Sequence, residues 1–569
     1  MIQYRCSVHN ITFHSSECPI CHKRGEIDIS QIYWCPDCNI PIYEEKCSLC
    51  GKNGRKIATD IRPVFPEERL LIEIVLGKPF EFSDSSVWNA AGNRYYVDGN
   101  RIEFSISSLK KINTDEIYRQ YQELKNKNSE VAFWKYIKKW CKANKDRFDA
   151  ISSEAMDYIK EKSNDYKLSE MFVSFSGGKD STVVSDLVQK SMGEQKVLHL
   201  FGDTTLEFPD TYVYVERFKK EHPGTPILSV RNRDKDFEEL CEVLGPPSRV
   251  MRWCCTVFKT GAISRKIDVL FKGKKRILTF YGIRRNESSS RSKYERESDS
   301  PKIAVQRTVS PIIDWMDYDV WLYILSSGID FNDAYRLGYT RVGCWCCPNN
   351  SGWSEFLSKI HMKSQYEHFR QLLIDFAVKV GKPDPDVYVD EGKWKARQGG
   401  NGLAYAQKSV VEFKPCALEE DTFNYDLQKP ISEELYELFK PFGEVNRDIG
   451  NKRLNEVYIV GRNGQMQLKL QGRIGSNVLK VSVLNKNLAG VRGIKEAEEK
   501  IRCQITKYQM CMGCNACEAI CRQSAISIKE TEGKIHYHID EGKCVQCGEC
   551  LSHFNGGCYM RKVLTIKRQ

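Results

Sequence analysis

Two cysteine-rich repeats at the start of the chain constrain its fold most tightly. They are Cys6-x2-His9-x8-Cys18-x2-Cys21 and Cys35-x2-Cys38-x8-Cys47-x2-Cys50, so the same spacing recurs after 29 residues. Zinc takes four nitrogen or sulfur ligands in a tetrahedron, and each paired knuckle supplies two. A segment this poor in large apolar side chains needs such a cross-link to fold. The repeats predict two zinc ribbons over residues 1–58, with a single iron as the competing metal.

The charge of residues 1–60 indicates which kind of partner the ribbons can bind. Zinc ribbons often bind nucleic acid, but residues 1–60 contain seven Lys or Arg and seven Asp or Glu. A neutral segment offers poor support for contacts with phosphates. We therefore favour a structural or protein-docking role for the ribbons over nucleic-acid binding.

The whole chain has 569 residues, of which 41% are hydrophobic and 28% charged, as is typical of several soluble domains. No stretch approaches the roughly 18 apolar residues needed to cross a bilayer. The polar start, MIQYRCSVHN, lacks the apolar core of a signal peptide. These features predict a cytoplasmic protein with no membrane partner. In that compartment, 24 cysteines indicate metal or redox chemistry, and a net charge of +11 indicates anionic partners.

Residues 170–330 alternate between two patterns. Short β-rich runs (MFVSFS, KVLHLF, PILSV, RILTFYGI) are separated by stretches with helical character. This alternation predicts a parallel sheet covered by helices.

A glycine loop follows the first of these runs, in MFVSFSGGKDSTVVSDLV. Gly177 and Gly178 allow a tight turn and close approach to a ligand. A helix starting near Asp180 directs its free N–H groups and positive dipole end at the loop. Lys179 adds charge, and hydroxyl donors come from Ser176, Ser181 and Thr182. The loop is therefore a candidate phosphate site, although the Walker A pattern is absent.

The string SFSGGKDST resembles the pyrophosphate loop (PP-loop) of the ATP-pyrophosphatase and phosphoadenosine phosphosulfate (PAPS) reductase superfamily. Further motifs of that family follow in order: GDTTLEFPDTY (202–212), RWCCTVFK (252–259), YGIRRNESSSR (281–291), SPIIDWMDYDVW (310–321) and RVGCWCCP (341–348). The resemblance covers about residues 165–350 and implies a doubly wound α/β nucleotide domain.

The resemblance also implies site residues. Those expected to bind the nucleotide are Ser174, Ser176, Gly177, Gly178, Lys179, Asp180, Ser181, Thr182, Asp203, Glu207, Gly282, Arg284, Arg285 and Glu287. Those expected to act in catalysis are Lys179, Asp180, Arg284 and Cys346.

Cys254 and Cys255, with the Cys344-x2-Cys347 pair, resemble the 4Fe-4S ligand set of the iron–sulfur branch of the family. A core or zinc quartet is the alternative, and Cys346 is either spare or a substitute ligand. The stretch 249–285 contains eleven Lys or Arg residues and one acid. We interpret it as partly a site for an anionic substrate and partly a docking surface.

The last cysteine block resembles bacterial two-cluster ferredoxins, in which the fourth cysteine of each run serves the other cluster. The resemblance implies one set of Cys511, Cys514, Cys517 and Cys558, and another of Cys544, Cys547, Cys550 and Cys521. Arg522 stands where proline is usual, and the gap before Cys558 is longer. The expected cofactors are three 4Fe-4S clusters, two zinc ions and an adenine nucleotide.

Two functions fit these features. The first is reduction of adenylyl sulfate (APS) or PAPS to sulfite, with electrons relayed by the ferredoxin domain from a redox donor. Against it, the terminal MRKVLTIKRQ lacks the cysteine tail of such reductases, which leaves Cys346, Cys416 or Cys503 as the nucleophile. The second is an ATP- and magnesium-dependent sulfurtransferase acting on DNA or tRNA, which the intact glycine loop suits. We favour the reductase because the cysteine quartet and the relay both fit reduction. A non-catalytic redox scaffold would leave the nucleotide motifs unexplained.

The expected fold class is therefore multidomain α/β: a doubly wound parallel-sheet PP-loop domain, tandem N-terminal zinc ribbons and a C-terminal α+β ferredoxin domain. The predicted segments are ribbons (1–58), a small α+β module (59–112), a helical linker (113–165), the PP-loop domain (166–360), a helical extension (361–415), a small β-containing domain (416–500) and the ferredoxin domain (501–569). Oligomeric state has no signal in the sequence.

Overall fold

A computed structural model describes residues 4–6, 8–9, 12–13, 17–23, 25–27, 31–109, 112–288, 291–300, 303, 305–488, 491–552, 554 and 557–565. The chain divides into two compact units. The first comprises residues 1–229, 275–299 and 306–367, and the second comprises residues 230–274, 300–305 and 368–569. No helix among the described residues is long and apolar enough to span a membrane.

The N-terminal block of the first unit contains two small antiparallel sheets, one for each cysteine repeat. Their strands are Tyr4–Arg5, Thr12–Phe13 and Glu26–Ile27 in the first repeat, and Ile32–Cys35, Ile40–Ile42 and Arg55–Ala58 in the second. In each sheet the first strand lies between the other two. A third antiparallel sheet follows, built from Ile61–Pro63, Val87–Ala90, Arg94–Val97 and Asn100–Arg101, with the helices Pro66–Val75 and Ile106–Leu109.

Three helices connect this block to the nucleotide domain: Thr114–Leu124, Val131–Ala143 and Lys145–Ser163. Among their aromatic residues, Tyr121 and Trp140 are buried, whereas Tyr118 is exposed. Trp140 packs edge-on against Trp88 and Tyr318, so these helices join the N-terminal block to the hydrophobic core of the first unit.

The centre of the first unit is a six-stranded sheet, which confirms the expected fold class. Its strands, in spatial order, are Ile227–Arg231, Leu198–Asp203, Met171–Phe175, Ile277–Tyr281, Gln306–Val309 and Glu297–Asp299. Met171–Phe175 pairs in parallel with both neighbours, and only the last strand is shown to be antiparallel. The helices of this region are Lys179–Met192, Pro209–Glu221, Asp317–Ser327 and Gly352–His361.

The order of this sheet creates a switch point between Met171–Phe175 and Ile277–Tyr281, because later strands add on both sides of the first one. Ligands of open α/β sheets bind in the crevice beyond the carboxyl ends of the strands at such a point. The glycine loop follows one of these two strands, and the segment containing Arg284 follows the other. Strand order alone therefore brings these motifs together.

The second unit begins with the helix Phe237–Leu244, a π-helix over Cys255–Thr260 and the helix Gly261–Leu270. The helix Lys363–Lys379 enters this unit from the first one at residue 368, and the helix Pro385–Asp390 follows it. An antiparallel sheet then contains, in spatial order, Glu412–Pro415, Thr422–Asp426, Val478–Val483, Met466–Gln471, Glu456–Val460 and Glu444–Asn446, with the helix Glu433–Glu437. This sheet lies in the segment 416–500, which was expected to contain β-structure, except for its first strand.

The C-terminal part of the second unit surrounds the last cysteine block. It contains the helices Ile494–Met510, Ala516–Ile520, Glu549–Ser552 and Tyr559–Leu564, and a hairpin of Ile526–Thr531 with Lys534–Ile539. Short 3-10 helices occur in both units at Lys125–Lys127, Leu168–Glu170, Arg285–Glu287, Arg291–Lys293, Asp333–Tyr335, Lys393–Ala396, Ala404–Ser409, Lys440–Phe442 and Lys452–Leu454. The division of the chain into seven segments stays a prediction.

Candidate nucleotide site and metal centres

The glycine loop turns sharply between strand and helix. Gly177 has a φ of +68°, and a Cβ on it would lie 2.9 Å from the Thr211 methyl group, so no larger residue fits. The Ser181 hydroxyl donates to the Gly178 carbonyl at 2.8 Å and accepts from the Ser176 amide at 3.1 Å. Thr182 shares a hydrogen bond of 2.8 Å with the hydroxyl of Tyr214. The Ser181 and Thr182 hydroxyls, expected to be ligand donors, therefore hold the loop in shape.

Two residues that the sequence analysis missed also support this loop. The amide of Lys179 donates to the Tyr335 hydroxyl at 3.0 Å, and the side-chain amide of Asn332 donates to the Gly177 carbonyl at 3.1 Å. Both come from a short turn more than 150 residues farther along the chain. No local motif marks them, because both lie between the quoted motifs 310–321 and 341–348.

Lys179, Asp180 and Arg284 converge with Asp317 in a buried ionic cluster. Lys179 Nζ lies 3.2 Å from Asp180 and 3.3 Å from Asp317. Arg284 donates to Asp317 at 2.7 Å and also to Asp180. Burial alone would raise the pKa of Asp317, but the charges of Lys179 and Arg284 outweigh it and hold this pKa well below its usual range. The cations expected to face the nucleotide are thus already neutralised.

Two other arginines, Arg291 and Arg341, lie close enough for their charges to repel each other. Burial lowers the pKa of Arg291 to about 10, and repulsion from Arg341 contributes to the shift. Arg291 forms an ion pair with Glu287, and the negative charge of Asp180 acts to raise the pKa of Arg291. A phosphate or sulfonate would relieve the repulsion between the two guanidinium groups. Both arginines lie at the ends of motifs quoted above, and the sequence analysis did not name them as site residues.

The remaining expected nucleotide residues have protein partners. Arg285 pairs with Asp314 and donates to the Tyr294 carbonyl at 3.1 Å. A Cβ on Gly282 would lie 2.6 Å from the Asp180 carbonyl carbon, so glycine allows the strand end to approach the loop helix. Ser174 lies in the central strand, where its side chain hydrogen-bonds to Tyr281. Burial raises the pKa of Tyr281, and this hydrogen bond opposes that shift.

The loop containing Asp203 and Glu207 contacts the Cys344–Cys347 turn. Asp203 accepts from the Thr205 amide at 2.8 Å and from the Tyr212 hydroxyl at 2.9 Å. Thr204 donates to Glu207 at 2.8 Å, and its oxygen lies 3.3 Å from Cys344 Sγ. The second expected nucleotide motif is therefore built against one half of the expected cysteine quartet.

The two halves of that quartet belong to different units. Cys344 and Cys347 are half-buried in the first unit, where Cys346 between them is buried. Cys254 and Cys255 are half-buried in the second unit, at the start of the π-helix. π-Helical turns are rare and frequent at functional sites. Ligation of one cluster by these four thiols stays a prediction.

Both N-terminal repeats gather their ligand atoms as a metal requires. Within each, the four atoms lie within 4.8 Å of one another: Cys6, His9, Cys18 and Cys21, and Cys35, Cys38, Cys47 and Cys50. The measured separations include 3.6 Å between Cys6 and Cys21 and 3.4 Å between Cys35 and Cys50. Sulfur atoms about 2.3 Å from a tetrahedral zinc would be about 3.8 Å apart. The geometry fits one zinc per repeat and equally fits a single iron.

The last cysteine block brings its thiols together in two sets. Cys514 is half-buried near Cys511, Cys517 and Cys558, whose charges help to raise its pKa. Cys544 has Cys521 and Cys547 as neighbours, and Cys550 has Cys517, Cys544 and Cys521. The exchange of fourth cysteines between the two sets, expected from the resemblance, stays a prediction.

Lys507 is a buried cation beside both sets, and the sequence analysis missed it. The thiols that raise its pKa against the effect of burial include Cys517 and Cys550, one from each set. Its Nζ donates to the Cys550 carbonyl at 3.1 Å. Four thiolates around an oxidised 4Fe-4S core leave net negative charge, which this ammonium group can balance.

Within the second unit, the ferredoxin cysteine loop packs on the helix that follows Cys254 and Cys255. A Cβ on Gly261 would lie 3.1 Å from Asn515 Cβ and 3.2 Å from the Cys514 carbonyl oxygen. Arg265 donates to Asn515 and to the Ile528 carbonyl, each at 2.6 Å.

Tyr559 also belongs to this contact. Its hydroxyl donates to the Arg252 carbonyl at 3.3 Å. Burial raises the pKa of Tyr559 to about 12, and Cys255, Cys514 and Cys254 are among the groups close enough to contribute. This tyrosine therefore lies near thiols of both the paired cysteines and the first ferredoxin set.

The other nucleophile candidates lie in the second unit. Cys503 is buried and accepts a hydrogen bond of 3.0 Å from Arg561. Cys416 is half-buried in a turn, where the Leu418 amide helps to lower its pKa.

Comparison with known proteins identifies two of these regions. The family model for the phosphoadenosine phosphosulfate reductase domain matches residues 170–350. The chain contains a PAPS reductase domain. A second model, the 4Fe-4S dicluster domain, matches residues 510–553. The recognition made from the motifs is thereby confirmed.

The chain is also similar to several known proteins. An uncharacterized protein of Methanocaldococcus jannaschii is 32% identical over 46% of this chain and 60% of its own length. A second protein of that organism is 30% identical, and the chain spans 51% of it. The adenosine 5'-phosphosulfate reductase of Anoxybacillus flavithermus is 28% identical over 32% of this chain and 74% of its own length.

Among solved structures, the PAPS reductase of Candida auris in a phosphate complex is 17% identical. It aligns over 35% of this chain and 95% of its own, with a TM-score of 0.27.

Proposed function

We propose that the protein is an iron–sulfur reductase that converts an adenylylated sulfate, APS or PAPS, to sulfite and the adenine nucleotide. The observation that carries this proposal is the contact inside the second unit. The ferredoxin loop with Cys514 packs directly on the helix that begins beside Cys254 and Cys255. A dicluster module held against the paired cysteines suits delivery of electrons, which adenylation and sulfur transfer do not require.

The basic groups of the first unit suit the anionic substrate. The glycine loop and the N-terminus of its helix offer a place for the phosphate. Arg291 and Arg341, whose positive charges repel each other, offer a place for a second anionic group, the sulfonate. The similarity of the chain to adenosine 5'-phosphosulfate reductases agrees with this substrate class.

The reaction breaks the bond between the sulfonyl sulfur and the bridging phosphate oxygen and takes up two electrons. The products are sulfite and the adenine nucleotide, whose phosphate group keeps the bridging oxygen. In our proposal the Cys346 thiolate attacks the sulfur and forms an S–S bond while the phosphate oxygen leaves. Two electrons from a reductant then cleave that bond, releasing sulfite and restoring the thiolate. Cys346 is preferred because it lies in the turn that contacts the Thr204 loop.

Three iron–sulfur clusters, held by Cys254, Cys255, Cys344 and Cys347 and by the two ferredoxin sets, would supply single-electron transfer. Lys179 and Arg284 act by holding Asp180 and Asp317 in place beneath the glycine loop. They position the substrate site and leave Arg291 to meet the anion.

An anaerobic assay of the full-length protein loaded with clusters tests the proposal. With reduced methyl viologen as donor, we expect sulfite and AMP from APS, or sulfite and 3′-phosphorylated AMP from PAPS. A Cys346→Ser variant should still bind AMP but form no sulfite, whereas Cys141→Ser should behave as wild type. Absence of sulfite, with ATP and magnesium cleaved to AMP and pyrophosphate in response to DNA or tRNA, would overturn the proposal in favour of a sulfurtransferase.

A further inference from the structure

Asp60, which lies outside the PAPS reductase domain, reaches into the nucleotide site. It sits between the last strand of the second cysteine repeat and the strand Ile61–Pro63. One carboxylate oxygen accepts from the Asp317 amide at 3.1 Å, and the other accepts from the Tyr318 amide at 3.1 Å. These two residues begin the helix Asp317–Ser327. Asp60 is thus an N-terminal cap supplied by a segment 257 residues away.

The capped turn contains the central anion of the ionic cluster. Asp317 binds Lys179 at 3.3 Å and Arg284 at 2.7 Å. A shift of this turn would change the position of both cations and, through them, of the glycine loop. The preceding residue, Met316, has no side-chain oxygen, so the helix depends on acceptors from elsewhere for its first amides.

A second connection joins the N-terminal block to the same turn. Arg147 donates twice to Asp319, at 2.9 Å each time, and Asp319 accepts from the Met316 amide at 3.1 Å. The guanidinium group of Arg147 also lies 4.2 Å from the ring centroid of Tyr43, which is in the second cysteine repeat. Two independent contacts from outside the nucleotide domain therefore meet at one helical turn.

We propose that Asp60 is a positioning residue for the nucleotide site, through which the N-terminal block holds Asp317 in place for Lys179 and Arg284. The block is then a component of the site and not an appended module. This inference rests on the proposed nucleotide site but not on which reaction that site performs. Asp60 acts through Asp317 and need not touch the ligand.

The electrostatics agree with a positioning role. Burial and the charge of Asp317 raise the pKa of Asp60 to about 7, against the opposing effects of the Tyr318 amide and Arg284. An acid in a place that disfavours its charge is typical of functional sites. The two backbone hydrogen bonds supply the structural reason for an acidic acceptor here.

Titration of AMP into full-length variants tests the inference, because AMP is a product or a part of the substrate in either reaction. Loss of an N-cap typically costs about 1 kcal/mol, equivalent to about a fivefold change in an equilibrium constant. Asp60→Ala should weaken AMP binding about fivefold. Asp60→Asn, which keeps one of the two acceptor oxygens, should restore part of this affinity, to a value between those of Asp60→Ala and wild type. Faster amide hydrogen exchange at Asp317 and Tyr318 should accompany the loss in Asp60→Ala.

Asn113→Ala is the matched control. Asn113 caps the helix Thr114–Leu124 by accepting from the Asp115 and Glu116 amides, in the same unit. It should lower thermal stability without changing AMP affinity. Equal affinity of Asp60→Ala and Asn113→Ala would overturn the inference, as would failure of Asp60→Asn to restore binding in a folded protein. Failure of the wild type to bind AMP would instead overturn the nucleotide site itself.

Discussion

The side chains beneath the glycine loop carry their charges in opposed pairs. Lys179 and Arg284 face Asp180 and Asp317 at ion-pair distances, and all four are largely shielded from solvent. A ligand gains little from cations that are already paired. Arg291 is also paired, with Glu287, but it differs because the guanidinium group of Arg341 repels it and burial lowers its pKa. We therefore expect it to contribute more to anion affinity than either cation expected from the sequence.

Replacing Arg291 by alanine tests this ranking. Hydrogen bonds to charged groups contribute about 1.5–3 kcal/mol, so the affinity for APS should fall by about tenfold to a hundredfold. Arg285→Ala is the control, since Arg285 is engaged by Asp314 and the Tyr294 carbonyl. Isothermal titration under anaerobic conditions measures both. Similar losses in the two variants would contradict the ranking.

His199 gives the first unit a defined response to acid. It is fully buried in the strand Leu198–Asp203, where Nδ1 donates to the Val197 carbonyl and Nε2 accepts from Ser185, each at 2.8 Å. Burial lowers its pKa to about 4. The folded state thus favours the neutral ring, and this contribution is complete above pH ~6.5 and lost as pH falls toward ~4.

Denaturant unfolding at pH 7 and pH 4 measures that contribution. Wild type should lose about 3 kcal/mol more than His199→Asn between these values, because asparagine does not titrate. A parallel loss in both proteins would show that other groups cause the acid response.

At the scale of elements, the contact between the helix Gly261–Leu270 and the ferredoxin loop depends on one small residue and one long one. Gly261 permits the close approach, and Arg265 ties the helix to Asn515, Ile528 and Glu518. Neither residue is a candidate ligand or nucleophile. Any effect of these two residues on turnover therefore comes through the packing of this helix against the ferredoxin loop.

Arg265→Ala should therefore separate electron delivery from nucleotide binding. Loss of these hydrogen bonds should lower the viologen-dependent rate of sulfite formation by about tenfold while AMP affinity stays as in wild type. Lys266→Ala, one residue farther along the same helix, is the control. An unchanged sulfite rate in Arg265→Ala would refute a role for this contact. The iron content of each variant should match wild type.

Local sequence signals predict the helices, strands and turns better than they predict the distant residues that hold these elements in place. The strand–loop–helix around Gly177 and the paired ribbons follow from short motifs, because a turn or a metal knuckle is specified by neighbouring residues. Tyr335, Asn332 and Asp60 lie 155 to 257 residues along the chain from their partners, and no spacing rule connects them. Arg284 lies in a motif that the sequence analysis quoted, but its pairing with two acids depends on the tertiary fold.

At the scale of the whole chain, the two cysteine repeats should differ in what they support. The second repeat contacts the helices that lead to the nucleotide domain: the Tyr43 amide donates to Asn144 at 2.9 Å, and Ser48 donates to the Ala143 carbonyl at 2.8 Å. Loss of its metal should disturb Arg147 and the helical turn that Arg147 holds.

Cys47→Ser and Cys18→Ser form a matched pair for this difference. Each should lose about one equivalent of bound metal per chain, measured by plasma emission spectrometry. Only Cys47→Ser should also weaken AMP binding, by a few-fold. Equal effects of both changes on AMP binding would contradict a special role for the second repeat.

The contact between Asp60 and Asp317 has a consequence for how the protein is made. A ribosome adds about 5–20 residues per second, so the 257 residues between them take roughly 13–50 seconds to synthesise. The N-terminal block has therefore emerged before the helix that Asp60 caps is synthesised. A fragment limited to residues 166–360 lacks Asp60, so its nucleotide site has to fold without this cap on the helix Asp317–Ser327.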